Sequence, residues 1–145
     1  MEKARLFCPS AQPGMTDPVI LGVRGSSAED PLLRYLDEPA PVTPQLLSIT
    51  APLEPTAIYR FAARCEERSC VHFDGTNCQL ATRIVQILPA VVDSLPSCRI
   101  RPTCRWWVQE GRAACMRCPD ILTYSENPSE MVAQAARPCP AAGHA

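Results

Sequence analysis

The chain has 145 residues, with 14 lysines and arginines against 15 aspartates and glutamates, 16 prolines and 9 cysteines. That length suits one domain, or one small domain with an arm, and a formal charge of −1 lacks the bulk basicity of a nucleic-acid binder. So much proline argues against a long helical bundle, and the longest nearly apolar run, residues 87–92, falls far short of the ~20 residues that cross a bilayer.

The start of the chain, residues 1–9, lacks the 7–15 apolar residues that follow a basic start in a secretory signal, so a cytoplasmic protein is expected. Thiols stay reduced there, which makes clustered cysteines metal ligands or redox groups before they are staples. Composition divides the chain into three parts. Residues 1–59 form a proline-rich arm with nine prolines and a balance of −3, from four basic and seven acidic side chains. Residues 60–124 form a cysteine-rich domain. Up to residue 120 this segment holds seven cysteines and nine arginines against six acids, a balance of +3. Residues 125–145 are small and polar and read as a flexible tail.

In chain order, residues 19–23 are a short apolar run, residues 25–30 are turn formers and residues 32–36 can return, which predicts a β-hairpin. Pro39, Pro41 and Pro44 predict an extended connector, followed by one helical turn at 45–49 that Pro52 closes. Leu80, Ile84, Ile87, Leu88, Val91 and Leu95 recur along one face of a helix. Thr76 or Asn77 would cap it, Pro89 would kink or restart it, and Pro96 would stop it. A shorter helix is expected over 104–110, with Gly111 as its C-terminal cap. The fold class expected is α+β: a small cysteine-rich, metal-organised domain with two or three short helices and an N-terminal β-hairpin arm.

The central cysteines are Cys65, Cys70, Cys78, Cys98, Cys104, Cys115 and Cys118, spaced C-x4-C-x7-C-x19-C-x5-C-x10-C-x2-C. With His72 they make eight soft donors, the number needed for two four-ligand sites. Cys115-Met116-Arg117-Cys118-Pro119 resembles the ending of the cluster-binding run of bacterial ferredoxins, although the upstream C-x2-C-x2-C is absent. The compact set Cys98, Cys104, Cys115 and Cys118 is expected to hold one iron–sulfur cubane. Cys65, Cys70 and Cys78, with His72 as fourth ligand, would hold a second centre, and an alternative grouping exchanges Cys78 for Cys98. Irregular spacing suits iron–sulfur clusters, whereas zinc favours two short C-x2–4-C pairs. Cys8 and Cys139 stand apart, each before a proline, and read as incidental thiols.

Arg99, Arg101, Arg105, Arg112 and Arg117 face Glu110 alone between Cys98 and Cys118, which suits thiolates and a negatively charged cluster. One of Trp106 and Trp107 is expected to pack on the long helix and the other to be half exposed. No nucleophile elbow, P-loop or dinucleotide fingerprint occurs. The expectation is therefore a non-enzymatic iron–sulfur, 4Fe-4S, electron-transfer or accessory protein serving a larger redox enzyme, with neither nucleic acid nor membrane as partner. The alternative is a zinc-stabilised adaptor module binding protein or nucleic acid through the arginine face. A disulfide-stapled protein is a third.

Overall fold

The structure, a computed structural model, describes residues 6–24, 32–121 and 129–137. It is mixed α+β, built on a four-stranded antiparallel sheet of order β1-β4-β2-β3. The strands are β1 (Phe7–Ala11), β2 (Val19–Arg24), β3 (Leu33–Pro41) and β4 (Tyr59–Arg64). β2 and β3 pair as the expected hairpin, whose turn lies outside the described residues. Pro39 and Pro41, expected in a connector, instead end β3, an edge strand. Pro9 lies in β1, the other edge. A missing N–H is tolerated at an edge because no neighbour needs it. Gly22 follows a bulge in β2 where the pairing slips between Ile20 and Gly22. A Cβ at this glycine would stand 2.6 Å from the Arg34 carbonyl oxygen, so no other residue fits without movement.

Six α-helices stand among the described residues, not two or three: α1 (Pro44–Ile49), α2 (Pro55–Ile58), α3 (Gln79–Ile87), α4 (Arg105–Glu110), α5 (Arg112–Cys115) and α6 (Glu130–Ala135). The additional ones span four to six residues, too few to leave a helical period in the sequence. α1 and α2 open on prolines in the first turn, where the lost N–H has no intrahelical partner in any case. α3 does not kink at Pro89. It ends at Ile87, because the residue before a proline is driven out of the helical region, and Leu88 is extended at φ −96°, ψ 146°. α4 runs as expected and stops at Gly111, whose φ is +70°.

β4 is buried on both faces and separates two cores. On one side Tyr59, Phe61 and Ala63 join Ile20 and Ala11 beneath Leu46 and Leu47 of α1. On the other, the helices enclose Ala81, Ile84, Trp106, Ala114 and Ala135 together with Cys78, Cys104 and Cys118. The alternation of a strand sends Arg60 to this second side, where it is 3% exposed. The sheet thus presents a charged residue to a core rich in sulfur. α6, in the last part of the chain, packs against α3.

Candidate metal centres

Eight of the nine cysteines are described, all as free thiols, and two spaces sort them four and four. Cys8, Cys65, Cys70 and Cys78 line a cavity of about 380 Å³, which His72 and Arg105 also line. Cys98, Cys104, Cys115 and Cys118 line a void of about 10 Å³ with Tyr35 and Arg101. Trp106, 1% exposed, lines both, so one indole separates the two sets.

Each cysteine of the first set is placed by short local structure. Cys65 follows β4, and its N–H donates to the Leu6 carbonyl at 2.9 Å. Cys70 ends a 3-10 turn at Glu67–Ser69. Between Cys70 and Cys78, Asp74 accepts the backbone N–H groups of Thr76 at 2.9 Å and Asn77 at 2.8 Å, folding the loop back on itself. Cys78 is the N-terminal cap residue of α3, in place of the predicted Thr76 or Asn77 just before it. The side chain of Gln109 clamps it. Oε1 accepts the Cys78 N–H at 2.8 Å and Nε2 donates to the Cys78 carbonyl at 2.8 Å. The fourth cysteine, Cys8, sits in β1 opposite Ala63.

The second set is held between a 3-10 turn at Arg101–Thr103, the start of α4, the end of α5 and the turn at Cys118–Asp120. Arg60 reaches it from the sheet. Its Nη1 donates to Cys118 Sγ at 3.1 Å and to the Pro9 carbonyl at 3.4 Å, and its Nη2 donates to the carbonyls of Cys118 and Ile121. Among the described residues this buried guanidinium has no carboxylate partner. A buried cation without a counter-charge is costly, and the nearest group able to carry negative charge is the Cys118 sulfur.

Burial dominates the thiol chemistry. It pushes Cys78 up to about 11 and Cys104 up to about 12, and it raises Cys8, Cys98 and Cys115 as well. Backbone N–H groups at the helix starts pull back at Cys78 and Cys104, and Arg101 does so at Cys115. The thiols feel one another within each set: Cys8 interacts with Cys78, Cys65 and Cys70, and Cys104 with Cys118 and Cys98. Burial, and then the Cys118 sulfur, hold the Tyr35 hydroxyl far above its ordinary value. Burial is also the first cause that lowers His72, followed by the charge of Arg83.

The surroundings suit a group with negative charge and acceptor atoms. Among the described residues Arg101 Nε, Arg105 Nε and Trp106 Nε1 are buried without a hydrogen-bond partner, and all three residues line one or both spaces. Orphaned donors at a buried site call for an acceptor, and sulfides and thiolates are acceptors of this kind. Among the described residues no three histidine, cysteine, aspartate or glutamate side chains converge tightly enough to hold a single metal ion. The smaller void has room for about one water-sized body.

The expected set Cys98, Cys104, Cys115 and Cys118 is thus brought together around one void, and Cys65, Cys70 and Cys78 around the other space. Cys78 stands with Cys65 and Cys70, not in the place of Cys98. His72 lines the larger cavity, and Cys139 lies outside the described residues. Cys8, Arg60, Tyr35 and Gln109 were not singled out by the sequence as parts of a site. Cys8 carried one usable signal, a Cys-Pro pair matching Cys118-Pro119. Arg60, a lone arginine in an apolar strand, carried none. The arginines between Cys98 and Cys118 are mostly engaged. Arg117 donates to the Leu88 and Ala113 carbonyls, Arg99 to that of Asp37 and Arg101 to that of Pro96. Arg105 meets Glu67 and lies over the Phe73 ring. Trp106 is the packed tryptophan, and Trp107 is the half-buried one, under the Arg101 guanidinium. No protein family, no curated protein and no solved structure matches the chain.

Proposed function

We propose that the protein is a non-enzymatic iron–sulfur protein that carries electrons for, or is an accessory of, a larger redox enzyme. The observation that carries this reading is the division of eight cysteines, four and four, around two spaces with the Trp106 indole between them. Cys98, Cys104, Cys115 and Cys118 would hold one cluster, and Cys65, Cys70 and Cys78 would supply thiolates to the other. When bound, such clusters supply one-electron chemistry at a potential set by charge, hydrogen bonds to sulfur and exposure.

The chain's own residues supply those settings. Arg60 and Arg101 place positive charge and N–H donors against the second set, which favours thiolates over thiols. Burial of Trp106 and Cys104 keeps water from its inner side. On the outer side, α4 and α5 carry half-buried Trp107, Val108 at 55% exposed and exposed Arg112, the face a partner would approach. Both spaces share one indole wall, so an electron received at one set has a short route to the other.

A second reading rests on the smaller void. About 10 Å³ has room for a single ion and not for a polyatomic core, so the second reading is zinc at Cys98, Cys104, Cys115 and Cys118, drawn together on binding, and an adaptor role. Anaerobic purification with iron, acid-labile sulfide and zinc assays separates the two. The iron–sulfur reading expects about four iron and four sulfide for each loaded set and a paramagnetic signal on reduction. A colourless protein with stoichiometric zinc and no sulfide decides for the adaptor.

A further inference from the structure

Four thiols and one imidazole line the larger cavity, and a four-ligand site takes only one besides Cys65, Cys70 and Cys78. We propose that this fourth ligand is the thiolate of Cys8, delivered by strand β1, and that His72 stands outside the ligand set. The inference rests on the cluster reading above.

The strand register carries the argument. Phe7 pairs with Arg64 and Cys8 with Ala63, while the Cys65 N–H donates to the Leu6 carbonyl. Cys8 and Cys65 are therefore held on adjacent strands at the same end of the sheet. Beyond Cys8 the pairing slips before Ala11, so the irregularity falls on Pro9 and Ser10 and leaves Cys8 in register with Ala63. All three other cysteines line the same cavity as Cys8. His72 has different neighbours: Arg83 of α3 and the carbonyl of Arg137 beyond α6. Its backbone N–H stands 3.5 Å from Cys70 Sγ, while its ring donates to the Arg137 carbonyl. Four thiols thus share one neighbourhood, and the imidazole lies toward the helical wall.

The proposal has a structural consequence. Phe7 also bridges to Cys104 of the second set, and Pro9 lines the smaller void. With Cys8 as ligand, one edge strand touches both centres and fastens the sheet to the helical half.

The test uses the full chain, reconstituted anaerobically with ferrous iron and sulfide, as wild type and as Cys8→Ala, Cys78→Ala and His72→Gln. Cys8→Ala is expected to lose the same iron and sulfide as Cys78→Ala, about half of the total when both sets load, while His72→Gln keeps the wild-type amount. Cys8→Ala retaining full iron, or His72→Gln losing what Cys78→Ala loses, overturns the ligand assignment and leaves the cluster reading intact. A wild type that binds no iron overturns both. Alkylation mapping of the loaded wild type by mass spectrometry does not depend on a variant folding. Cys8 is expected to be protected with Cys65, Cys70 and Cys78, and released with them on chelation. Cys8 reacting freely while those three stay protected sinks the assignment.

Discussion

The two cysteine sets share the Trp106 indole as a wall but are built by opposite means. The first surrounds open space: Cys8, Cys65, Cys70 and Cys78 come from a strand, a strand exit, a turn and a helix start. The second is compact, with four cysteines from residues 98–118 closing on a small void and a buried arginine reaching in from β4. Spread-out ligands make a bound group into a cross-link between distant segments. Compact ligands with a built-in cation leave less to the bound group in structure, and more to the protein in setting charge. On the cluster reading proposed above, the first set is therefore expected to govern stability and the second to govern potential.

The largest expected effect comes from stripping the bound group. Cys78, Cys104 and Cys118 belong to the core of the helical half, while the α1-side core of the sheet contains no cysteine. Metal sites in small domains contribute on the order of 10 kcal/mol of apparent folding free energy. Chelation should abolish amide protection across α3, α4 and α5 while β2 and β4 keep theirs, read by hydrogen exchange. Equal loss in both halves would mean that the sheet has no independent stability and that the contrast between the halves is wrong.

Arg60 should separate the two sets most sharply. Arg60→Met removes the donor to Cys118 Sγ and leaves the Pro9, Cys118 and Ile121 carbonyls without it. The expected cost is about 2–4 kcal/mol in urea unfolding, because buried acceptors lose their partner. Loss of a positive charge also disfavours the more negative reduced state. The potential of the second centre should therefore fall, while the first centre holds its value. Arg60→Lys keeps the charge but cannot bridge a sulfur and three carbonyls with one planar fork, so it should restore more of the potential than of the stability. A potential that moves equally at both centres would remove Arg60 from its special relation to Cys118.

Gln109 gives the matching test at the first set. Gln109→Ala frees both backbone groups of Cys78 and breaks the contact of Nε2 with Thr82. A loss of about 1–3 kcal/mol is expected, with weaker iron retention at the first centre under a competing chelator and none of the potential shift of Arg60→Met.

What the sequence made legible follows the range of the forces involved. The β2–β3 hairpin, α4 with its Gly111 stop and the turn at 45–49 are local, and each was readable from turn formers, caps or periodicity. β1 was not: Phe7–Ala11 contains Cys-Pro-Ser and reads as loop until β4 pairs with it. β4 was hidden for the same reason, since its five buried residues include an arginine and carry no alternation. The compact set could be grouped from sequence because its members lie within 21 positions, counting Cys98 through Cys118. Cys8 could not, because 57 positions separate it from Cys65 (65 − 8) and only sheet register brings them together. Arg60 was invisible because its significance is that strand alternation turns it toward sulfur.

The smallest effects come from two helix caps with the same chemistry on opposite sides of the sheet. Thr43 Oγ1 accepts the Leu46 N–H at 3.2 Å at the start of α1, which packs on the core without cysteines. Ser129 Oγ accepts the Val132 N–H at 3.2 Å at the start of α6, whose Val132 and Ala135 line the larger cavity. Removing such a cap costs about 1 kcal/mol, so Thr43→Ala and Ser129→Ala should lower stability by similar amounts. Only Ser129→Ala loosens a wall of the first centre. It should speed the loss of iron from that centre to a chelator severalfold, while Thr43→Ala leaves the rate unchanged. Identical rates for the two variants would show that α6 does not shield the cavity. The first set would then depend for protection on its cysteine-bearing loops alone.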